Sequence, residues 1–312
     1  MPINDEEVDK LDEWELDETV TLRRQEIKIH EFKGVSKGSL PIAAVDTSSI
    51  RIGETEHGIV AAYRAVLVIC KDKPRIEKLG PYVLHLTEEN KVAIYNHFRK
   101  LLGLETVDER EVPRLSKLVD RIRNAIERVM QRIAASIIKN GIVLWDGSLT
   151  GGTVDTPMRV VRKNIEVAHS NGNSVVGVSK RTWLRTVSGK RLIDLLEDVY
   201  KPCYVDIHDS IDSKYLSRYL GRVMVAKFSP YGFTFRVDVA PRPDLTPAEV
   251  LELLVSNCEM YNGYPEPLRQ AHIESYLTAD EILGLQSYVA QKYNLVMLKP
   301  FDVRKFILSP FG

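Results

Sequence analysis

Residues 142–148 read Ile-Val-Leu-Trp-Asp-Gly-Ser: four apolar residues that run into a carboxylate, then a glycine and a hydroxyl. A continuous apolar run this short, bounded by turn residues, is the pattern of a buried strand. What flanks it decides the fold class. Upstream, Leu115, Leu118, Val119, Ile122, Ile126, Val129, Ile133 and Ile137 recur at spacings of three and four, which predicts a helix over 115–138 closed by Asn140-Gly141. The opposite face of that helix is basic, with Lys117, Arg121, Arg123, Arg128, Arg132 and Lys139. Downstream, Pro157 to His169 reads as a helix and Ser174 to Val178 (SVVGV) as a second strand, followed by Ser179-Lys180-Arg181. Strand and helix therefore alternate in the middle of the chain, and the fold class is α/β.

Further out, Leu40 to Val45 (LPIAAV) is a second buried strand that meets a carboxylate, Asp46, before the polar Thr47-Ser48-Ser49. Ile59 to Cys70 and Pro81 to Leu86 read as strands separated by KDKPRIEKLG, a turn by its Pro, Gly and charges, so three successive strands predict an antiparallel meander. Glu88 to Leu102 follows a helical pattern, with Thr87 and Asn90 as its N-terminal signal, and Gly189 to Val199 is amphipathic. Tyr204 to Ile207, Arg222 to Phe228 and Phe233 to Val239 read as strands, the last two joined by SPYG as a hairpin. Thr246 to Cys258 and Leu268 to Tyr293 supply the final helices, with a break expected near Thr278. There is no internal repeat and no low-complexity linker, which predicts one α/β domain over 38–312 behind a charged segment, 1–37.

Composition narrows the class. With 312 residues, 44% hydrophobic and 28% charged, the chain is an ordinary globular one, and its richest apolar stretch, 59–70, is broken by Arg64 and too short to span a bilayer. The N-terminal MPINDEEVDKLDEWELDE is acidic where a secretory signal needs a basic start and an apolar core, so a cytoplasmic protein without membrane contact is expected. Cys70, Cys203 and Cys258 are too few and too scattered for a thiolate metal cage or a disulfide framework, and read as small buried residues. The net charge of zero conceals an acidic head, nine acids against one lysine in residues 1–20, and hence a basic body compatible with a polyanionic partner.

Asp46 and Asp146 each follow an apolar strand and precede small hydroxylated residues. Were the two strands neighbours, the carboxylates would come within about 4–6 Å, a costly approach unless a divalent cation such as Mg²⁺ or Mn²⁺ neutralises them. Each also reads as an ordinary cap of the turn after a strand, which is common. Glu127 lies one position off the core stripe of the long helix, readable either as an inward acid or as a solvated partner of Arg123 or Arg128; Asp120 is on nearly the same face. Among seven histidines, His272 in GYPEPLRQAHIESY has company, with Tyr264 upstream and Glu274 two residues on, although a helical histidine is usually structural. Lys180, just past a strand, is either a phosphate ligand or simply solvated. Residues 172–180 begin with Walker-like glycine spacing but lack Gly-Lys-Ser/Thr, and no nucleophile elbow, zincin or dinucleotide fingerprint occurs. Metal-dependent chemistry on carboxylates is the reaction class left.

The order of these motifs, AVDTSSIRIG, IVLWDGSL, VVGVSKR, VMVAKFSP with FTFRVDVA, and GYPEPLRQAH, resembles the NurA family of prokaryotic DNA nucleases over residues 40–275. Thr47 departs from the Asp-Gly-Ser frequent at the family's first motif. The resemblance implies a ribonuclease-H-like mixed sheet flanked by helices, with additional antiparallel strands and C-terminal helices. It implies that Asp46, Glu127 and Asp146 bind two Mn²⁺ or Mg²⁺ ions, that His272 completes or supports the site as a further metal ligand or a proton shuttle, and that Lys180 contacts the scissile strand. It further implies single-strand endonuclease and 5′–3′ exonuclease action on single- and double-stranded DNA, a homodimer, and a HerA-type hexameric ATPase as partner in DNA end resection and double-strand-break repair. The alternatives are a non-catalytic nucleic-acid-binding or scaffold subunit on the same fold, and a metal hydrolase of small phosphoesters.

Overall fold

The structure is a computed structural model that describes residues 28–34, 38–71, 73–154, 157–182, 184–186, 189–211, 213–297 and the backbone of 299–300. The acidic head lies outside the described residues. In chain order the strands are β1 (Ile29–Glu31), β2 (Ile42–Glu54), β3 (Gly58–Cys70), β4 (Arg75–Thr87), β5 (Ile142–Asp146), β6 (Ser174–Ser179), β7 (Cys203–Asp206), β8 (Arg222–Lys227), β9 (Thr234–Ala240), β10 (Met260–Tyr261), β11 (Tyr264–Pro265) and β12 (Lys299–Pro300). The helices are α1 (Lys91–Leu101), α2 (Leu115–Ile137), α3 (Met158–Ser170), α4 (Ser213–Leu216), α5 (Pro247–Asn257), α6 (Glu266–Ser275) and α7 (Ala279–Tyr293). Contacts divide the described residues into two compact units: one holds those up to Ala43 with Ala135–Arg269, the other Ala44–Ala134 with those after Arg269.

The first unit is a mixed sheet with strands in the order β1-β7-β8-β9-β6-β5. Only β5 and β6 run parallel, and their crossover is α3, which buries Val160, Val161, Ile165 and Ala168. The remaining pairs are antiparallel, so the α/β class and the antiparallel additions are as expected. Buried Asn173 ties the start of β5 to the end of the preceding helix. Its Oδ1 accepts from the Gly141 N–H at 2.9 Å, and its Nδ2 donates to the Ala135 and Ile138 carbonyls, also at 2.9 Å, which supplies partners to groups a helix end leaves open. Gly189 to Val199 yields only a 3-10 turn, Leu192–Leu196, whose Leu192 and Leu196 join Val205, Val223 and Val225 in the core.

In the second unit β2, β3 and β4 are successive neighbours, and both faces of β3 are covered. Ile59, Ala61 and Tyr63 pack on Leu118, Val119 and Ile122 of α2; Val60 and Ala62 pack with Ile52 against Leu277, Ile282 and Val289. Two strands are longer than their apolar runs. β2 continues eight residues past Asp46, because Ile50 and Ile52 keep the same face covered beyond the polar Thr47-Ser48-Ser49. Asp46 is thus inside a strand, not at its end. β4 begins at Arg75, within the expected turn, because backbone pairing with β3 from Ile69↔Arg75 onward holds a stretch whose side chains are exposed. Thr87 and Asn90 exchange backbone-to-side-chain hydrogen bonds of 2.9 and 3.3 Å just before α1, so they shape the turn that leads into the helix. The break near Thr278 is real: Thr278 and Glu281 form a capping box that starts α7. Among the described residues no helix is long and apolar enough to cross a membrane.

Arg64, buried on β3, fixes the corner between α6 and α7 by donating to the Tyr276 carbonyl at 3.1 Å and to both Glu281 oxygens at 3.1 and 2.6 Å. Its hydrogen bond to the Glu281 carboxylate, aided by the Thr278 N–H, lowers that group's pKa to about 2. A carboxylate depressed in the folded state stabilises above its unfolded pKa and loses that contribution as pH falls toward the folded value. The stability difference between wild type and Glu281→Gln is therefore expected to shrink between about pH 5 and pH 2, read as urea midpoints across that range. A pH-independent difference would contradict the linkage.

Candidate active site

Two constellations form, one in each unit. In the second unit Asp46 is mostly buried, and both of its oxygens are engaged. Oδ1 accepts from the Thr47 N–H at 2.8 Å; Oδ2 accepts from His272 Nδ1 at 2.9 Å and from Ser275 Oγ at 3.0 Å. His272 and Ser275 stand three residues apart on α6, on one face of the helix. Ser48, two residues along β2 from Asp46 and so on the same face of the strand, donates to the Ser275 carbonyl. This clamps the helix end to the strand. Asp46 and His272 are 226 residues apart in the chain and in direct contact. Because an ionised carboxylate only accepts, the proton of a neutral His272 sits on Nδ1 and leaves Nε2 as the acceptor. The imidazole is largely exposed.

In the first unit Asp146 closes β5, and Lys180, one residue past β6, donates to its Oδ2 at 2.8 Å. The ammonium also lies 4.9 Å above the Tyr264 ring, which in turn packs against Phe235. Lys180 is therefore held by a carboxylate and an aromatic face rather than simply solvated. The loop leaving Asp146 folds over β6, and a Cβ at Gly177 would stand 2.5 Å from the Gly147 carbonyl oxygen. Glycine there lets the loop reach β9, where Oδ2 of fully buried Asp238 accepts from the Leu149 N–H at 2.9 Å. Arg236 grips Asp238 through two bonds of 2.8 and 2.7 Å and donates to Thr150 Oγ1 at 3.1 Å. A buried ion pair thus anchors the backbone just after Asp146.

Glu127 is half-buried on α2 and accepts from Nε2 of Gln131 at 3.2 Å; Gln131 is itself fully buried and takes Arg128 on its oxygen at 2.9 Å. Glu127 is thus oriented by an amide in the core. Asp120 is exposed, and its charge, after burial, is the next contribution that raises the Tyr63 pKa. Of the basic helix face, Arg121, Arg123, Arg128 and Arg132 are half-buried, with Arg132 bonded to the Leu101 carbonyl at 2.6 Å. Burial of these stems takes them out of a purely solvated face.

Among the described residues no three His, Cys, Asp or Glu side chains are grouped closely enough to hold a metal ion. A carboxylate with an imidazole, as in the Asp46–His272 pair, is a donor set that suits Mn²⁺ better than Mg²⁺, whereas Asp146 is paired with the Lys180 ammonium.

Residues 40–275 match the NurA domain. The chain belongs to the NurA family. The NurA nuclease of Sulfolobus solfataricus is similar in structure, with a TM-score of 0.54 at 17% identity over 92% of this chain and 93% of that one. A structure of NurA with manganese aligns over 78% of this chain and 86% of its own at 9% identity and a TM-score of 0.44. Endonuclease V of Bacillus subtilis aligns over 93% and 95% at 12% identity and a TM-score of 0.36. No curated protein sequence matches the chain. Asp46, Glu127, Asp146, Lys180 and His272 all fall within the NurA match. Ser275 and Gln131 lie outside the matched motifs, and Arg236 and Asp238, although within FTFRVDVA, were given no role by the sequence; only the fold shows their contacts with Asp46, Glu127 and the loop after Asp146.

Proposed function

We propose that this NurA-family chain is a metal-dependent DNA nuclease, cleaving single strands internally and degrading ends 5′ to 3′. The observation that carries the reading is the contact of His272 with Asp46, since an exposed imidazole clamped to a mostly buried carboxylate is a proton-transfer pair a packing histidine does not need. Asp46, Glu127 and Asp146 are the residues that would hold the divalent ions, two by family resemblance. When bound, the metal supplies positive charge at the scissile phosphate and at the leaving 3′ oxygen. His272, with Nδ1 committed to Asp46, presents Nε2 to accept or return a proton. Lys180 exchanges Asp146 for a phosphate oxygen and holds the strand. As a partner the family resemblance supports a HerA-type hexameric ATPase, acting with a homodimer of this chain in the cytoplasm during end resection.

A length ladder of end-labelled single- and double-stranded DNA, run with Mn²⁺, Mg²⁺ or chelator, tests the reading. Metal-dependent shortening is expected. Binding without cleavage would point to a scaffold subunit, and hydrolysis confined to small phosphoesters to a different enzyme. His272→Ala is expected to lower the rate more than about tenfold with little change in melting temperature, because the side chain is exposed. Partial rescue by raised Mn²⁺ would mark a ligand; loss of one limb of the pH–rate profile would mark a proton carrier. A proportional loss of stability and activity would strike His272 from the site.

A further inference from the structure

The tip of the β8–β9 hairpin and the segment before β7 expose three large aromatic rings together: Tyr200 at 63%, Tyr231 at 83% and Phe233 at 67%. Tyr200 and Tyr231 stand 5.7 Å apart, tilted at 47°. With Arg191 and Lys227 they line a hollow of about 380 Å³, room for one nucleotide and too small for a duplex. Tyr231 has φ of 57°, a conformation bulky residues seldom adopt.

A backbone hydrogen bond links the rim of the hollow to the hairpin that supports the Asp146 constellation. The Phe233 N–H donates at 3.0 Å to the carbonyl of Asn262, in the turn of the β10–β11 hairpin, and that hairpin carries Tyr264, the ring beneath Lys180. Exposed cations accompany the path, Lys180 at one end and Arg191 at the other. Asp194 spends both oxygens on Arg191 at 2.9 Å, while Glu197, also in the lining, disfavours a phosphate inside. The lining thus suits a base better than a phosphate inside the hollow. Aromatic faces with flanking cations are how sequence-tolerant single-strand sites are built, since every base has a face to stack and duplex bases are unavailable.

We infer that Tyr200, Tyr231 and Phe233 form a base-stacking subsite for single-stranded DNA, leading away from Asp146. The assignment of DNA as the ligand rests on the nuclease reading. The test is fluorescence anisotropy of the full chain with labelled oligo(dT) and a duplex of equal length, in chelator so that nothing is cut, comparing wild type with the triple variant Tyr200→Ala, Tyr231→Ala, Phe233→Ala. Single-strand affinity should fall roughly tenfold or more, with duplex affinity, the salt slope and the melting temperature unchanged, because no phosphate contact and no core side chain is lost. Absence of single-strand binding by the wild type, an equal loss for both DNAs, or unchanged oligo(dT) affinity, which would leave the surface to a protein partner, overturns the subsite. Because binding is read without cleavage, the two readings fail separately. A wild type that never cuts DNA sinks the nuclease reading alone; a triple variant that binds normally while the wild type cuts sinks the subsite alone.

Discussion

Asp46→Ala and Asp146→Ala are each expected to reduce DNA cleavage by about a thousandfold or more while DNA binding persists or tightens. Loss of metal-assisted charge stabilisation costs several kcal/mol of barrier, and about 4 kcal/mol corresponds to roughly three decades in rate. Each substitution also has a local signature. Asp46→Ala leaves His272 and Ser275 without the oxygen both share, and Asp146→Ala releases Lys180, adding a cation for the DNA backbone and favouring tighter binding. Single-turnover rates and filter-bound affinities, measured on the same preparations, check both halves. Either variant retaining more than a tenth of the wild-type rate would remove that aspartate from the metal site.

Asp238→Ala should be among the most destabilising single changes in the chain. The carboxylate has no solvent exposure and Arg236 very little, so removing one partner leaves a buried guanidinium uncompensated, at a cost of about 3–5 kcal/mol. It also deprives the Leu149 N–H of its acceptor, loosening the loop behind Asp146. Urea unfolding reads the first effect, and amide exchange at Leu149 reads the second. The double variant Asp238→Leu, Arg236→Met should recover much of the stability, since the unpaired charge is gone, yet leave the Leu149 amide poorly protected. A small destabilisation in Asp238→Ala with unchanged exchange would mean that the loop is held by other contacts.

The sequence made the local signals legible. The apolar run before Asp146, the three-four stripe of α2 and the break near Thr278 each depend on neighbours within a few residues, and each appears where the sequence places it. Strand length was less legible: Ser48 and Ser49 read as a turn until Ile50 and Ile52 are seen to be covered by Leu277 and Ile282, more than 200 residues on. The exposed half of β4 had no hydrophobic pattern to betray it, because its hold on β3 is backbone pairing. The pairing of Asp46 with His272 came only through family resemblance, as no local rule connects positions so far apart. Arg236 and Asp238 alternate along β9 as a solvated strand face would; that they are buried against each other is a property of the packed sheet.

Direct titration of the full chain with Mn²⁺, following free ion by electron paramagnetic resonance, asks whether these strand-borne carboxylates hold the ion proposed to make the chain a nuclease. Saturable uptake by the wild type is expected, with clearly weakened uptake by both Asp46→Ala and Asp146→Ala and folding intact by circular dichroism. Uptake by both variants equal to that of the wild type, or none by the wild type at millimolar Mn²⁺, would contradict that proposal.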